Sequence, residues 1–294
     1  MKKRHFTKLE IILVCFVLVI AGLFIYLKTS NLNLVNLPNK ILNTEKFPTT
    51  DAEWADYMGS AIDNYCERKE AYQLRPEFQR SLSLIFQRLS EATGKSDTNL
   101  LRGVKSNFKC LDISYASSSE EMAGADGYFL FSKDFSNRNK LTIIVDPAYK
   151  AQDDLMTAML LSHELNHAEQ FIMEDVYNTA VARCYENSSR DICDNAKKAY
   201  SYLSISCYDK EIMAFNNQFY FFLQLKDAEK ASLLSKYLTG NSSSYNLPVL
   251  YLMDNYTKLL TTCGNSVDGS SCANNWFKVQ VTSNPFYQKQ CGSN

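Results

Sequence analysis

Only three histidines occur in the 294-residue chain, and two of them stand four apart in the segment LLSHELNHAEQF. At that spacing on a helix, the imidazoles of His163 and His167 leave one face and can converge on a single metal ion. Glu164, next to the first of them, can lean toward a water at that ion without ligating it. Zinc brings the pKa of such a water down toward ~7, and the carboxylate takes its proton as the water attacks a peptide carbonyl. The same carboxylate then passes the proton to the leaving amine. The chemistry expected is zinc-dependent hydrolysis of a peptide or protein substrate, with Zn2+ as cofactor, His163 and His167 as ligands and Glu164 as general base. The plainer alternative is a pair of helix histidines beside a surface glutamate. Against it stands LMTAMLL just upstream, an apolar stretch that marks a buried helix, where a metal-free His pair beside a carboxylate makes an awkward core.

A tetrahedral site needs a third protein ligand, and the residues alone leave several candidates. Glu169 and Glu174 lie on or just beyond the same helix and would struggle to curl back. Asp175 and Glu186 come after a turn, Cys207 offers a thiolate, and Glu211 lies further on in DKEIMAFNNQFYFF. At HELNH the sequence resembles the zincin metallopeptidases. That resemblance implies a sheet before the metal-binding helix, its nearest edge strand holding substrate in extended form. GYFLFS (127–132) and LTIIV (141–145) sit where strands are wanted, LTIIV being the nearer. The continuation AEQFI lacks the Gly and third His of the metzincins, and His5 would lie on the far side of the membrane in the topology expected below. The gluzincin branch takes a Glu from a later helix, often with a small residue three places on. Glu211, followed by Ala214, fits, so the resemblance implies Glu211 as third ligand. It covers roughly residues 125–225. The group that would stabilise the oxyanion stays open among Tyr208, Asn217, Gln218 and Tyr220. Asn166 and Glu169 are candidate supports for the imidazoles, although surface roles suit them better.

The elements that must position these groups read as α+β, mostly helical, with one small sheet ahead of the metal-binding helix. Trp54, Met58, Ile62 and Tyr65 recur at helical spacing from Asp51. Pro76 opens a second helix through Leu82, Ile85, Phe86 and Leu89, with Gly94 as its stop. GYFLFS and LTIIV are short β-rich runs forming a hairpin or neighbouring strands. Asp153 or Asp154 caps a helix expected to reach about Met173. From Glu174 onward several helices follow, broken at Ser188–Ser189, 240–244 and 264–271.

Composition is that of an ordinary globular protein, 46% hydrophobic and 21% charged, and a net charge of −1 gives no field to attract nucleic acid. The N-terminus departs from this. Residues 1–10 carry Lys2, Lys3, Arg4 and Lys8, and 11–27 then run without a charge (IILVCFVLVIAGLFIYL), enough for a helix of about 25 Å. The positive flank places residues 1–10 in the cytoplasm and everything after the anchor outside it. No small-residue cleavage site follows, so an uncleaved single-pass membrane anchor is expected rather than a signal peptide. Residues 28–50, with Pro38 and Pro48, read as a linker, and 51–294 as the extracytoplasmic zincin-like domain. Eight of the nine cysteines lie beyond the anchor, none in a CxxC pair. In an exported domain they imply up to four disulfides, Cys184–Cys193 and Cys263–Cys272 being the expected short loops. Asn187, Asn241 and Asn255 head sequons that matter only in a eukaryotic secretory route, whereas the compact anchor suits a bacterial cell membrane. Two other readings use the same residues: a non-catalytic, disulfide-braced binding ectodomain on a zincin-like scaffold, and a structural zinc site. Glu164 counts against both, since neither needs a base.

Overall fold

The structure, a computed structural model, describes residues 47–93, 101–151, 153–239, 256, 258–263 and 271–292. The expected anchor at 11–27 lies outside the described residues. Among the described residues, no helix is long and apolar enough to cross a membrane.

The packed unit begins at Phe47, ahead of the expected boundary at 51, because the Phe47 ring packs on Trp54 and Tyr57 of the first helix. That helix, α1 (Asp51–Asp63), starts in a capping box: Thr50 accepts from the Glu53 N–H while the Glu53 carboxylate accepts from Thr50 N–H at 3.0 Å. Tyr65 falls beyond its end yet is fully buried, its hydroxyl donating to Asp175. α2 (Pro76–Thr93) begins at the proline and buries Leu82, Ile85 and Leu89. A short α3 (Arg102–Ser106) leads into β1 (Leu111–Tyr115).

β2 (Gly127–Lys133) and β3 (Asn139–Val145) form an antiparallel hairpin, and β1 joins β3 in parallel, giving the order β1-β3-β2. Asp134 builds the hairpin turn, its Oδ1 accepting from the N–H groups of Ser136 and Arg138. LTIIV, expected as the nearer candidate for the edge, is the central strand, with Leu141, Ile143 and Val145 fully buried. GYFLFS is the edge. Its apolar run at 128–131 is flanked by Gly127, Ser132 and Lys133 at the strand ends, and Leu130 is left 48% exposed.

Asp153 caps α4 (Asp154–Asn187), accepting from Met156 N–H. This helix outruns its expected end at Met173 by 14 residues. Residues 174–187 contain neither Gly nor Pro, and the Cys184–Cys193 disulfide ties the last turn to α5 (Arg190–Ala199). α6 (Cys207–Gln224) follows, capped by Ser206, then α7 (Asp227–Thr239), helical turns at 258–263, α8 (Ser271–Ser283) and α9 (Pro285–Cys291). All eight cysteines after Cys15 are paired: Cys66–Cys110, Cys184–Cys193, Cys207–Cys291 and Cys263–Cys272.

Candidate metal centre

α4 and α6 lie antiparallel and in close contact. Gln170 Nε2 donates to Lys210 O at 3.1 Å, Asn217 to the Asn166 side chain, and Gln218 Nε2 to Met159 O at 2.7 Å. Residue numbers fall on one helix as they rise on the other. Ala214, fully buried, has no bulk to hold the helices apart. This register sets Glu211 opposite His163 and His167, while Phe215 lies edge-on to the His163 ring at 4.5 Å.

His163 Nε2 and His167 Nε2 are 3.1 Å apart, and Glu211 Oε2 stands 3.5 and 3.6 Å from them. Donor atoms about 2.0–2.1 Å from a tetrahedral zinc are separated by roughly 3.4 Å, so the three atoms already form one face of such a tetrahedron. His163, His167 and Glu211 are thus a group that could hold a metal ion. Their protonation agrees. The Gln170 carbonyl oxygen lies 3.2 Å from His167 Nδ1 and fixes the proton there, because its amide is committed to Lys210 O. The Nε2 lone pair then faces both His163 and the Glu211 carboxylate, an arrangement that calls for a cation or a proton between them. Burial works to raise the Glu211 carboxyl, but the two imidazoles hold it well below the usual range. Burial likewise disfavours charge on His167, and Glu211 outweighs it, raising the imidazole. His163 Nδ1 is buried without a hydrogen bond.

The other candidates for third ligand are occupied elsewhere. Glu169 is not a surface residue: it is buried and accepts from Gly103 N–H at 2.9 Å and Val104 N–H at 2.7 Å. Asn166, also buried, bonds Asn217 rather than an imidazole. Glu174 pairs with Lys210, Asp175 accepts from Tyr65, Glu186 is exposed and Cys207 is in a disulfide.

Glu164 is buried on the same face and opens on the same cavity, about 880 Å³ in volume. Burial raises its carboxyl above the ordinary carboxylate range, with the two imidazoles opposing and Glu211 adding to the rise. Gly127 of the edge strand makes room for it. A Cβ at 127 would come within 3.1 Å of Glu164 Cγ and 3.2 Å of its Oε1.

Three lining groups went unrecognised in the sequence. Gln290 on α9 donates from Nε2 to Glu211 Oε1 at 3.1 Å, steadying the oxygen turned away from the histidines. Tyr287, one turn earlier, lines the cavity. Burial raises its phenol, and Glu211, Glu164 and Asp126 raise it further, so it stays a protonated donor. Asp126 sits just before the edge strand, its Oδ2 accepting from the Tyr149 hydroxyl at 3.1 Å. No spacing signal links positions 287 and 290 to 211; the Cys207–Cys291 bridge does, one helical turn before Glu211 and one residue after Gln290. Of the oxyanion candidates, Gln218 lines the cavity but is committed to Met159 and Tyr256, and Asn217 is bonded to Asn166. Comparison with protein-family models, curated proteins and solved structures found no match for this chain.

Proposed function

We propose that this protein is a membrane-anchored zinc metallopeptidase of the gluzincin kind, hydrolysing peptide bonds outside the cytoplasm. The observation that carries the reading is the convergence of three donor atoms at tetrahedral spacing with the Glu164 carboxylate beside them in an open cavity. A purely structural zinc site would be closed by a fourth protein ligand and would have no use for an adjacent base. Among the described residues no fourth His, Cys, Asp or Glu joins the group.

Zinc, when bound, acidifies water toward neutrality and polarises the scissile carbonyl. Glu164 accepts the proton of the attacking water and delivers it to the leaving nitrogen; a carboxyl raised by burial is suited to holding that proton between the two transfers. Tyr287 donates its hydroxyl hydrogen bond to the oxygen on which charge develops. Gln170 and Gln290 keep His167 and Glu211 oriented. The exposed edge of β2 beside the cavity offers backbone groups to an extended substrate. Four disulfides and the sequence of the anchor at 11–27 support an oxidising, extracytoplasmic location.

The test compares the full chain with its Glu164→Gln variant for zinc content and for cleavage of a quenched-fluorescent peptide library. Zinc should be retained at one per chain while cleavage falls by about 10²- to 10⁴-fold. Equal cleavage by both proteins would remove Glu164 as the base, and no cleavage by either would leave the binding-ectodomain reading in its place.

A further inference from the structure

The charged groups around the cavity do not balance. Three carboxylates line it: Glu211, Glu164 and Asp126. Glu211 faces the imidazoles, and Glu164 lies against the metal group as the base. Lys210, the lining lysine, is spoken for by Glu174. Asp126 is left with one neutral partner, the Tyr149 hydroxyl, and no Lys or Arg among the described residues pairs with it. The neighbouring Asp146 makes the contrast. It lies outside the cavity lining and is satisfied locally, its Oδ1 accepting from Ser119 Oγ at 2.8 Å and Ala148 N–H at 2.7 Å.

Position gives Asp126 its meaning. It immediately precedes Gly127, the residue on which Glu164 packs, and its carboxylate lines the same cavity, near enough to Glu164 for the two charges to interact. The Asp126 carbonyl accepts from Asp146 N–H at 2.8 Å and fixes the backbone, while Tyr149, fully buried, fixes the side chain. A carboxylate held rigidly at a cavity wall without a counter-charge is costly unless a cation arrives. Burial, with Asp146 and Glu164 nearby, already expresses that cost by raising the Asp126 carboxyl.

We propose that Asp126 recognises a cationic group of the substrate next to the scissile bond, either a basic side chain or a free amino terminus. This rests on the peptidase reading for its substrate class. The preferred substrates are therefore peptides that place an ammonium or guanidinium group at this end of the edge strand, and acidic groups there are rejected by Asp126 and Glu164 together.

The test offers the zinc-loaded full chain quenched-fluorescent peptides that differ only in carrying Lys, norleucine or Glu at each position flanking the scissile bond. Each peptide is made with a free and with an acetylated amino terminus. At one position Lys should exceed norleucine by about 30-fold or more in kcat/KM, as for a desolvated charge pair. That ratio should collapse to within a few-fold in Asp126→Asn, whose amide oxygen still accepts from Tyr149; Asp126→Ser serves the same purpose if the first variant fails to fold. Preference that survives acetylation assigns the cation to a side chain, and preference for a free amino terminus lost on acetylation assigns it to the terminus. Equal handling of all cationic and neutral peptides by the native chain, or an unchanged ratio in the variants, overturns the proposal.

Binding separates this proposal from the reading beneath it. Lysine and norleucine hydroxamates are titrated into the zinc-loaded Glu164→Gln protein. Selective binding of the lysine compound with no peptide cleaved by the native chain would sink the peptidase and keep the Asp126 assignment. Cleavage without cation preference does the reverse. Equal binding of the two hydroxamates, or failure of the lysine compound to bind, also overturns it.

Discussion

The cavity has two halves built by different means. On one side stand α4 and α6, whose antiparallel contact brings His163, Glu164, His167 and Glu211 together from within 49 residues of chain. On the other side stand Asp126 and Gly127 at the edge strand, with Tyr287 and Gln290 on α9. The first half is a helix–helix interface, held by buried apolar surface and by side-chain bonds to backbone such as Gln218 to Met159 O. The second half is joined to the first across the cavity by the Cys207–Cys291 bridge and the Gln290–Glu211 hydrogen bond. Metal binding should therefore depend steeply on the first half, and substrate selection and fine orientation on the second.

The largest break in that comparison comes from removing a ligand. Glu211→Gln and His163→Ala should each weaken zinc binding, read by calorimetric titration, by more than the ~10–100-fold typical of a supporting residue. A loss of less than about tenfold in both would mean that zinc binds elsewhere.

Asp126 gives the next effect, and it appears in stability rather than in metal affinity. Its carboxyl is pushed up to about 7 in the folded chain, burial being the main cause, Tyr149 opposing, and Asp146 and Glu164 adding to the rise. The folded state therefore holds this proton more tightly than the unfolded chain. Nothing is lost below about pH 4, and the cost accumulates as pH rises through about 7, at up to about 1.4 kcal/mol per pH unit. Urea unfolding of the zinc-free protein across this range should show a falling stability that flattens in Asp126→Asn. Parallel profiles would mean that Asp126 is no harder to ionise in the folded protein.

The division between the halves also governs what was legible in the sequence. His163, Glu164 and His167 lie within five residues, so local spacing reveals them. Glu211 emerged only through the resemblance to the gluzincins, which take a Glu from a later helix with a small residue three places on. Strand β1 was missed although Leu111-Asp112-Ile113-Ser114-Tyr115 alternates apolar and polar, because five residues beside a longer hairpin give a weak signal. The edge was expected at LTIIV because proximity in sequence was read as proximity in space. Both runs carry apolar residues on both faces, so composition does not separate them; the difference lies in what covers them, since Leu141, Ile143 and Val145 are fully buried while β2 is only partly covered. Glu169 seemed a surface residue by type. Its burial depends on α3 presenting two N–H groups to it, which no pattern near position 169 discloses. Tyr287 and Gln290 were beyond reach because their place depends on which cysteine pairs with Cys207.

Breaking that pair should give a smaller effect than removing a ligand. In Cys207→Ala/Cys291→Ala, α9 loses its covalent tie and Gln290 its fixed approach to Glu211 Oε1. Zinc affinity should fall by about tenfold, the lower end for a supporting group, while cleavage falls further because Tyr287 is displaced as well. Gln290→Leu alone should reproduce the loss in zinc affinity and much less of the loss in cleavage. If the two variants matched in both readouts, α9 would be held by its own packing and the bridge would be incidental.

The smallest effect sharpens the comparison most, because Gly127 is where the halves touch. An alanine there would set its Cβ 3.1 Å from Glu164 Cγ and 3.2 Å from both Glu164 Oε1 and Leu160 Cδ1. These are flexible side-chain atoms that can retreat a few tenths of an ångström, so the fold should tolerate the methyl at a cost of about 1 kcal/mol. The histidines and Glu211 do not figure among the nearest neighbours of that Cβ, so zinc affinity should stay within about twofold of the native value. On the proposed mechanism, however, Glu164 is displaced from the water it must deprotonate, and proton transfer depends sharply on such placement. Gly127→Ala is thus expected to lower kcat by roughly threefold to tenfold with zinc binding intact. A matching loss in zinc affinity would show that the edge strand also sets the metal ligands, and the two halves of the cavity would then be a single mechanical unit.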